Sequence, residues 1–301
     1  MPGRYPLSIR DDRELPEDYS GPVFVWDLDK TYLSTGFSSW RGLARVPVEF
    51  SVDKRAIPGM PEVLRALRRG PGEVVKCLPI YFVSASPPFL RGSIEGKMLL
   101  DGVEHDGMTF KDWWRTILEL RPDRLFEQLG FKMAALLTGR LRRPRCREYL
   151  FGDDYERDPE AFSLYARWLQ GKMKLEELDL ELASGGVPSS DRRLLLDLAE
   201  KIPRERGRVG KIFIHLEKNS PPELFKHYGP DLVPVKGAWQ LALALWAEGL
   251  VDLAALRAVR AAVEAAPRYR FGNAEEMSRD AVARRILSKE QYRRLKKEGV
   301  Q

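Results

Sequence analysis

Cysteine and histidine are scarce in this chain of 301 residues, which has two cysteines, Cys77 and Cys146, and three histidines, His105, His215 and His227. Two cysteines do not make a disulfide framework, so the expected compartment is a reducing, cytoplasmic one. Neither thiol sits in a nucleophile context, and the histidines are too scattered for a zinc site. Long apolar runs are also missing. Met1 to Pro6 lacks the apolar core of a signal peptide. The longest apolar stretch, Ala238 to Leu256, is interrupted by Glu248 and Asp252, which argues against a transmembrane segment. There is no internal repeat, no low-complexity segment and no recognised nucleic-acid module.

What remains is the composition of a globular protein, with 44% hydrophobic and 31% charged residues. A net charge of +6 favours anionic partners without naming one. Phosphate esters, anionic lipid surfaces and nucleic acid all fit it.

The stretch around which the chain is organised runs from Val23 to Thr31. Val23, Phe24, Val25 and Trp26 are apolar, β-branched or aromatic, and predict a buried strand. Asp27, Asp29 and Thr31 follow at alternate positions. Carboxylates after a buried strand lie at the carboxyl edge of a sheet, where ligands bind in open α/β folds. Two close carboxylates suit a hard cation such as Mg²⁺. Aspartates at this spacing also occur in turns and helix caps, so the motif alone leaves both readings open.

The chain then repeats this pattern. Residues 1–20 are polar and proline-containing, and are expected to form an arm. Tyr32 to Ile57 has no clear period and is expected to be a loop beside the site. Pro58-Gly59-Met60-Pro61 opens a helix, and Leu78 to Val83 is a second strand that ends in Ser84-Ala85-Ser86-Pro87. This strand–helix–strand spacing predicts a parallel βαβ unit. Residues 87–131 are expected to hold a small hairpin or helical insert. Phe131 to Leu137 is a helix that begins with Lys132. The arginines between Arg140 and Arg147 suit a solvated loop or, alternatively, an anion-binding face. Glu148 to Phe151 is a third strand, followed by Gly152, Asp153, Asp154, Glu156 and Asp158. Helices are expected over Leu175 to Leu182 and over Asp191 to Ile202, with Asp191 as N-cap. Lys211 to His215 is a fourth strand, and Leu232 to Val235 is an edge strand because it holds Pro234. Two helices follow, and then a last helix capped by Asn273. That helix is rich in arginine and lysine and is expected to be a solvated surface, the alternative being a dock for acidic partners or lipid headgroups.

Taken together, Asp27-Leu28-Asp29-Lys30-Thr31, Ser84, Lys132 and Gly152-Asp153-Asp154 resemble, in order, the four motifs of the haloacid dehalogenase (HAD) superfamily. Within it, Pro58-Gly59-Met60, the segment Tyr81 to Pro87 and the segment Gly152 to Glu160 look most like the catalytic domain of actin-patch-associated phosphatidate phosphatases. Lys30 departs from that subfamily, which has an acidic residue there. The resemblance covers roughly residues 21–250. It implies an α/β fold, a Rossmann-like core with a parallel sheet flanked by helices, plus C-terminal helices. It divides the chain into an arm (1–20), a phosphatase domain (21–255) and a helical extension (256–301).

The resemblance also implies roles. Asp27 would be the nucleophile and Asp29 the general acid and base. Ser84 and Lys132 would bind the phosphate, with Lys111 as a rival to Lys132 on composition alone. Mg²⁺ would be held by Asp27, Asp29 through its carbonyl, and Asp153. Asp154 and Asp158 would orient Lys132 or a metal-bound water. The implied substrate is a phosphorylated molecule, with phosphatidate or a related lipid phosphate favoured, and with peripheral contact to an anionic membrane. A nucleic-acid end, a phosphoprotein, or phosphate binding without turnover are the alternatives.

Overall fold

Trp26, Phe151 and Phe213 stand side by side on three neighbouring strands. The Trp26 and Phe151 rings stack with centroids 4.1 Å apart, and Phe151 and Phe213 follow at 5.2 Å. Cross-strand aromatic pairs of this kind hold a sheet in register and bury large areas. The computed structural model describes residues 5–34, 55–114, 127–203, 207–266 and 273–300.

The strands are β1 (Leu7–Asp11), β2 (Pro22–Asp27), β3 (Leu33–Ser34), β4 (Arg55–Ala56), β5 (Ile80–Ser84), β6 (Gly107–Lys111), β7 (Arg147–Asp153), β8 (Arg208–His215) and β9 (Leu232–Val235). The helices are α1 (Met60–Arg69), α2 (Arg91–Leu100), α3 (Leu129–Arg142), α4 (Asp158–Leu169), α5 (Leu175–Ser184), α6 (Ser189–Glu200), α7 (Gly237–Ala247), α8 (Leu253–Glu264), α9 (Ala274–Ala283) and α10 (Lys289–Lys297). Seven strands form one sheet in the order β1-β6-β5-β2-β7-β8-β9. Every pairing in it is parallel except that of β1 with β6.

Alternation along β2 explains the layers. Phe24 and Trp26 face a core shared with α1, α7, α8 and the last two helices, through Leu64, Trp239, Leu256, Met277 and Leu295. Val23 and Val25 face the opposite core, built on α3 to α6 through Phe131, Phe162, Leu178 and Leu195. Strands covered on both sides read as continuous apolar runs. Gly59, at φ 85°, closes α1 against its neighbours, since a Cβ there would lie 2.8 Å from Ala238 Cβ and 2.9 Å from Val263 Cγ2.

Several expectations are corrected. The supposed arm contains β1, whose Leu7 and Ile9 alternate with polar residues and whose partner is β6. The supposed insert after residue 87 contributes β6 to the main sheet, parallel to β5. Asp191 is not a cap; Pro188 occupies that position, and Asp191 lies buried inside α6. The last helix is two helices, because Arg285 takes φ 63° and Ser288 starts a new capping box. Arg140 is not solvated. It is enclosed, with Nη2 on Glu148 Oε2 at 2.5 Å and Nε donating to Tyr165 Oη at 3.1 Å. The boundary expected after residue 255 falls inside α8, and Trp239 of α7 donates to the Ala274 carbonyl oxygen at 2.9 Å. Of the expected loop from Tyr32 to Ile57, residues 35–54 lie outside the described residues, and their flanks pair as β3 and β4. Asp252 and Asn273 do cap α8 and α9, accepting from Ala255 N and Glu276 N. Among the described residues no helix is long and apolar enough to cross a membrane.

Candidate functional site

Four strands deliver polar groups to one edge. β2 ends at Asp27, β5 at Ser84, β7 at Asp153 and β8 at His215. Their registers match, since Asp27 lies opposite Val83, and Asp153 opposite His215.

Asp27 is 1% exposed, on the central strand. Thr31 Oγ1 donates to its Oδ2 at 3.4 Å, and the Lys132 ammonium contacts its Oδ1. Lys132 comes from the first turn of α3 and is itself enclosed. Its Nζ also lies 2.7 Å from Asp158 Oδ1 and 3.1 Å from Glu156 Oε2. Lys111 lies in β6, where its ammonium donates to the Glu127 carbonyl oxygen.

The loop after β7 is folded by its own acids. Asp153 Oδ1 accepts from the backbone N–H of Tyr155 at 2.6 Å and of Glu156 at 2.9 Å. Asp158 Oδ2 accepts from the Asp153 N–H at 3.2 Å. Gly152 makes this approach possible, because a Cβ there would stand 2.4 Å from Asp158 Oδ2. Asp29 faces the other flank, where Ser84 and Ser86 donate to its Oδ2 at 3.1 and 2.8 Å.

The structure thus brings together Asp27, Lys132, Asp153 and Asp158, with Asp29 and Ser84 beside them. Asp154 goes elsewhere. It accepts from the backbone N–H of Lys218 at 2.8 Å and of Ser220 at 3.3 Å, which ties the loop after β8 to the loop after β7. Of the two acids expected to orient Lys132 or a metal-bound water, Asp158 contacts the ammonium, together with Glu156, and Asp154 does not. Glu156 and Ser86 have no assigned role in the sequence reading. The signal for Glu156 is the density of acids from Asp153 to Asp158, and for Ser86 the second hydroxyl after the same strand.

Burial pushes the Asp27 carboxyl well above the usual carboxylate range; the Lys132 charge opposes this, and the charges of Asp158, Glu156 and Asp153 add to it. Asp153 and Glu156 are raised by burial in the same way. Burial alone would lower Lys132, but Asp158, Asp27 and Glu156 more than reverse it, so the ammonium stays charged. One buried cation thus faces four buried or half-buried carboxylates, an imbalance that a further cation would relieve.

Oxygens of Asp27, Glu156 and Asp158 lie within 4.8 Å of one another and form a buried acidic triad able to hold a metal. Lys132 Nζ is the cation these three now share. The stronger candidate for a metal ligand is Asp153 Oδ2, which is buried and has no hydrogen-bond partner among the described residues. Its carboxylate chemistry fits a hard divalent ion. No family model matches this chain, and the searches of curated proteins and of solved structures find no match either.

Proposed function

We propose that the chain is a Mg²⁺-dependent phosphomonoesterase of the haloacid dehalogenase type, with phosphatidate or a related lipid phosphate as the favoured substrate. The observation that carries this reading is the convergence of Asp27, Asp29, Ser84, Lys132 and Asp153 from separate stretches of chain on one sheet edge. Chemistry-bearing residues that meet at the carboxyl ends of parallel strands fit a site in an open α/β sheet.

An Asp27 carboxylate oxygen attacks phosphorus, the bond from phosphorus to the ester oxygen breaks, and Asp29 gives its proton to the departing alkoxide. Water then attacks the aspartyl-phosphate, Asp29 takes its proton, and phosphate leaves Asp27 free. Lys132 balances non-bridging oxygen charge, and the Ser84 hydroxyl, which here donates to Asp29, donates to phosphate. Asp158 and Glu156 hold the Lys132 ammonium in place. Mg²⁺ on Asp27, Asp153 and the Asp29 carbonyl would offset repulsion between carboxylate and phosphate.

The test is Mg²⁺-dependent phosphate release from phosphatidate in mixed micelles, sugar and nucleotide phosphates, an oligonucleotide with a terminal phosphate and an aryl phosphate. Release that needs the metal and disappears in Asp27→Asn supports the reading, and the best substrate selects among classes. Release that persists in Asp27→Asn sinks the nucleophile assignment.

A further inference from the structure

Three loops at the carboxyl edge meet on one aromatic ring. Lys30, from the loop after β2, places its ammonium 3.0 Å from the centroid of the Tyr155 ring. Tyr155 follows β7 and is 45% exposed. Lys218, from the loop after β8, holds its ammonium 4.7 Å from the same centroid and donates to the Tyr155 carbonyl oxygen at 3.3 Å. These distances keep the two ammonium groups within ~8 Å of each other, one Debye length at physiological ionic strength.

The arrangement is held from several directions. Lys30 takes φ 60°, a left-handed conformation uncommon outside glycine. Its carbonyl oxygen lies 3.1 Å from Nδ1 of the buried His215. Asp154 pins the Lys218 loop to the Tyr155 loop. Among the described residues neither ammonium has a carboxylate within ion-pair distance, although carboxylates crowd the site below. A ring face attracts a cation, but two like charges this close repel each other. An anion within reach of both would offset that repulsion.

We propose that Lys30 and Lys218, braced on Tyr155, form a subsite for a second anionic group, a carboxylate or a second phosphate, on the molecule whose phosphate sits at Asp27. This rests on the phosphomonoesterase reading above. Strands β5 and β7 flank β2 on opposite sides. Asp29 turns to the β5 side, and Lys30, the next residue, turns to the β7 side. A phosphate at Asp27 then has the acid on one flank and the lysine pair on the other. Tyr155 is a positioning residue, and the lysines set specificity.

The experiment compares phenyl phosphate, carboxyphenyl phosphate and phenylene bisphosphate with the Mg²⁺-loaded protein. The wild type is expected to favour the doubly anionic compounds by roughly tenfold in kcat/KM at low salt, with the excess shrinking as salt rises. The ratio falls to about one in the Lys30→Met/Lys218→Met variant, and by roughly threefold in Lys218→Met alone, at an exposed position. An excess for both compounds identifies a general anion subsite; an excess for the bisphosphate alone identifies a phosphate. A wild-type ratio of one, or a ratio unchanged in the double variant, overturns the subsite even when all three compounds are hydrolysed. If none is hydrolysed, the phosphomonoesterase reading falls, and equilibrium binding of the same compounds decides. A binding preference lost in the double variant upholds the subsite, and no preference overturns it.

Discussion

Lys132 Nζ and Asp158 Oδ1 lie 2.7 Å apart, and neither side chain reaches solvent. Removing the cation leaves Asp27, Glu156 and Asp158 without their shared partner. Truncating one member of a buried ion pair costs about 3–5 kcal/mol. Lys132→Met is therefore expected to destabilise the protein by about that much in urea unfolding, and Asp158→Asn by clearly less, since it removes one charge from an acidic excess. Equal losses in the two variants would show that the cluster is not charge-imbalanced.

Asp153 gives a pH test whose sign is fixed. In the folded chain burial holds its proton to a pH well above the ordinary aspartate value of 3.8. The unfolded chain releases that proton near the ordinary value, so the stabilising contribution is present at acid pH and is lost as pH rises. In chelator, the Tm of Asp153→Asn relative to wild type should rise as pH rises above about 4. Saturating Mg²⁺ should reverse this rise, because the ion stabilises only the protein that binds it, by about 2.7 kcal/mol at a hundredfold excess over Kd. A Tm difference that ignores both pH and metal would count against Asp153 as a ligand.

Gly152→Ala would drive a methyl group to 2.4 Å from Asp158 Oδ2 and 2.5 Å from its Cβ. Overpacking of this kind costs about 1–3 kcal/mol. Because Asp158 also touches Lys132, the phosphomonoesterase proposed above should lose phosphate release in this variant as well as stability. Full activity with native Tm would mean that the loop absorbs the methyl freely.

Arg140 and Glu148 offer a control away from the site. Arg140→Met should cost about 3–5 kcal/mol by leaving Glu148 unpaired and buried. The double variant Arg140→Met/Glu148→Met should cost less than the sum of the singles, because no lone charge remains. Additive losses in denaturation would show that the two residues do not act as a pair.

The centre of the sheet was legible because β2, β5, β7 and β8 are apolar runs that end in polar residues, a pattern a single sequence displays. β1 and β6 were not, because Leu7 to Asp11 and Gly107 to Lys111 are short and amphipathic, and their pairing spans most of the first third of the chain. Asp27, Ser84 and Asp153 were legible as residues at the carboxyl ends of neighbouring strands, where the structure has them. Asp154 was not, because its direction depends on the loop that Asp153 folds by accepting from Tyr155 and Glu156. Glu156 reaches Lys132 only through that same turn. Arg140 looked like part of a solvated run because sequence spacing does not show that Tyr165 and Glu148 lie beside it.

The antiparallel pairing of β1 with β6 also bears on how the protein is made. Leu7 pairs with Lys111, so β1 leaves the ribosome about a hundred residues before its partner. At ordinary synthesis rates this gap lasts roughly 5–20 s. For that time β1 has no partner strand, and β5 pairs only once β2 is already out. β1 can thus join the sheet only after β2, β5 and β6 have emerged. A nascent chain halted before Gly107 would present Leu7 and Ile9 to whatever binds unpaired strands in the cell.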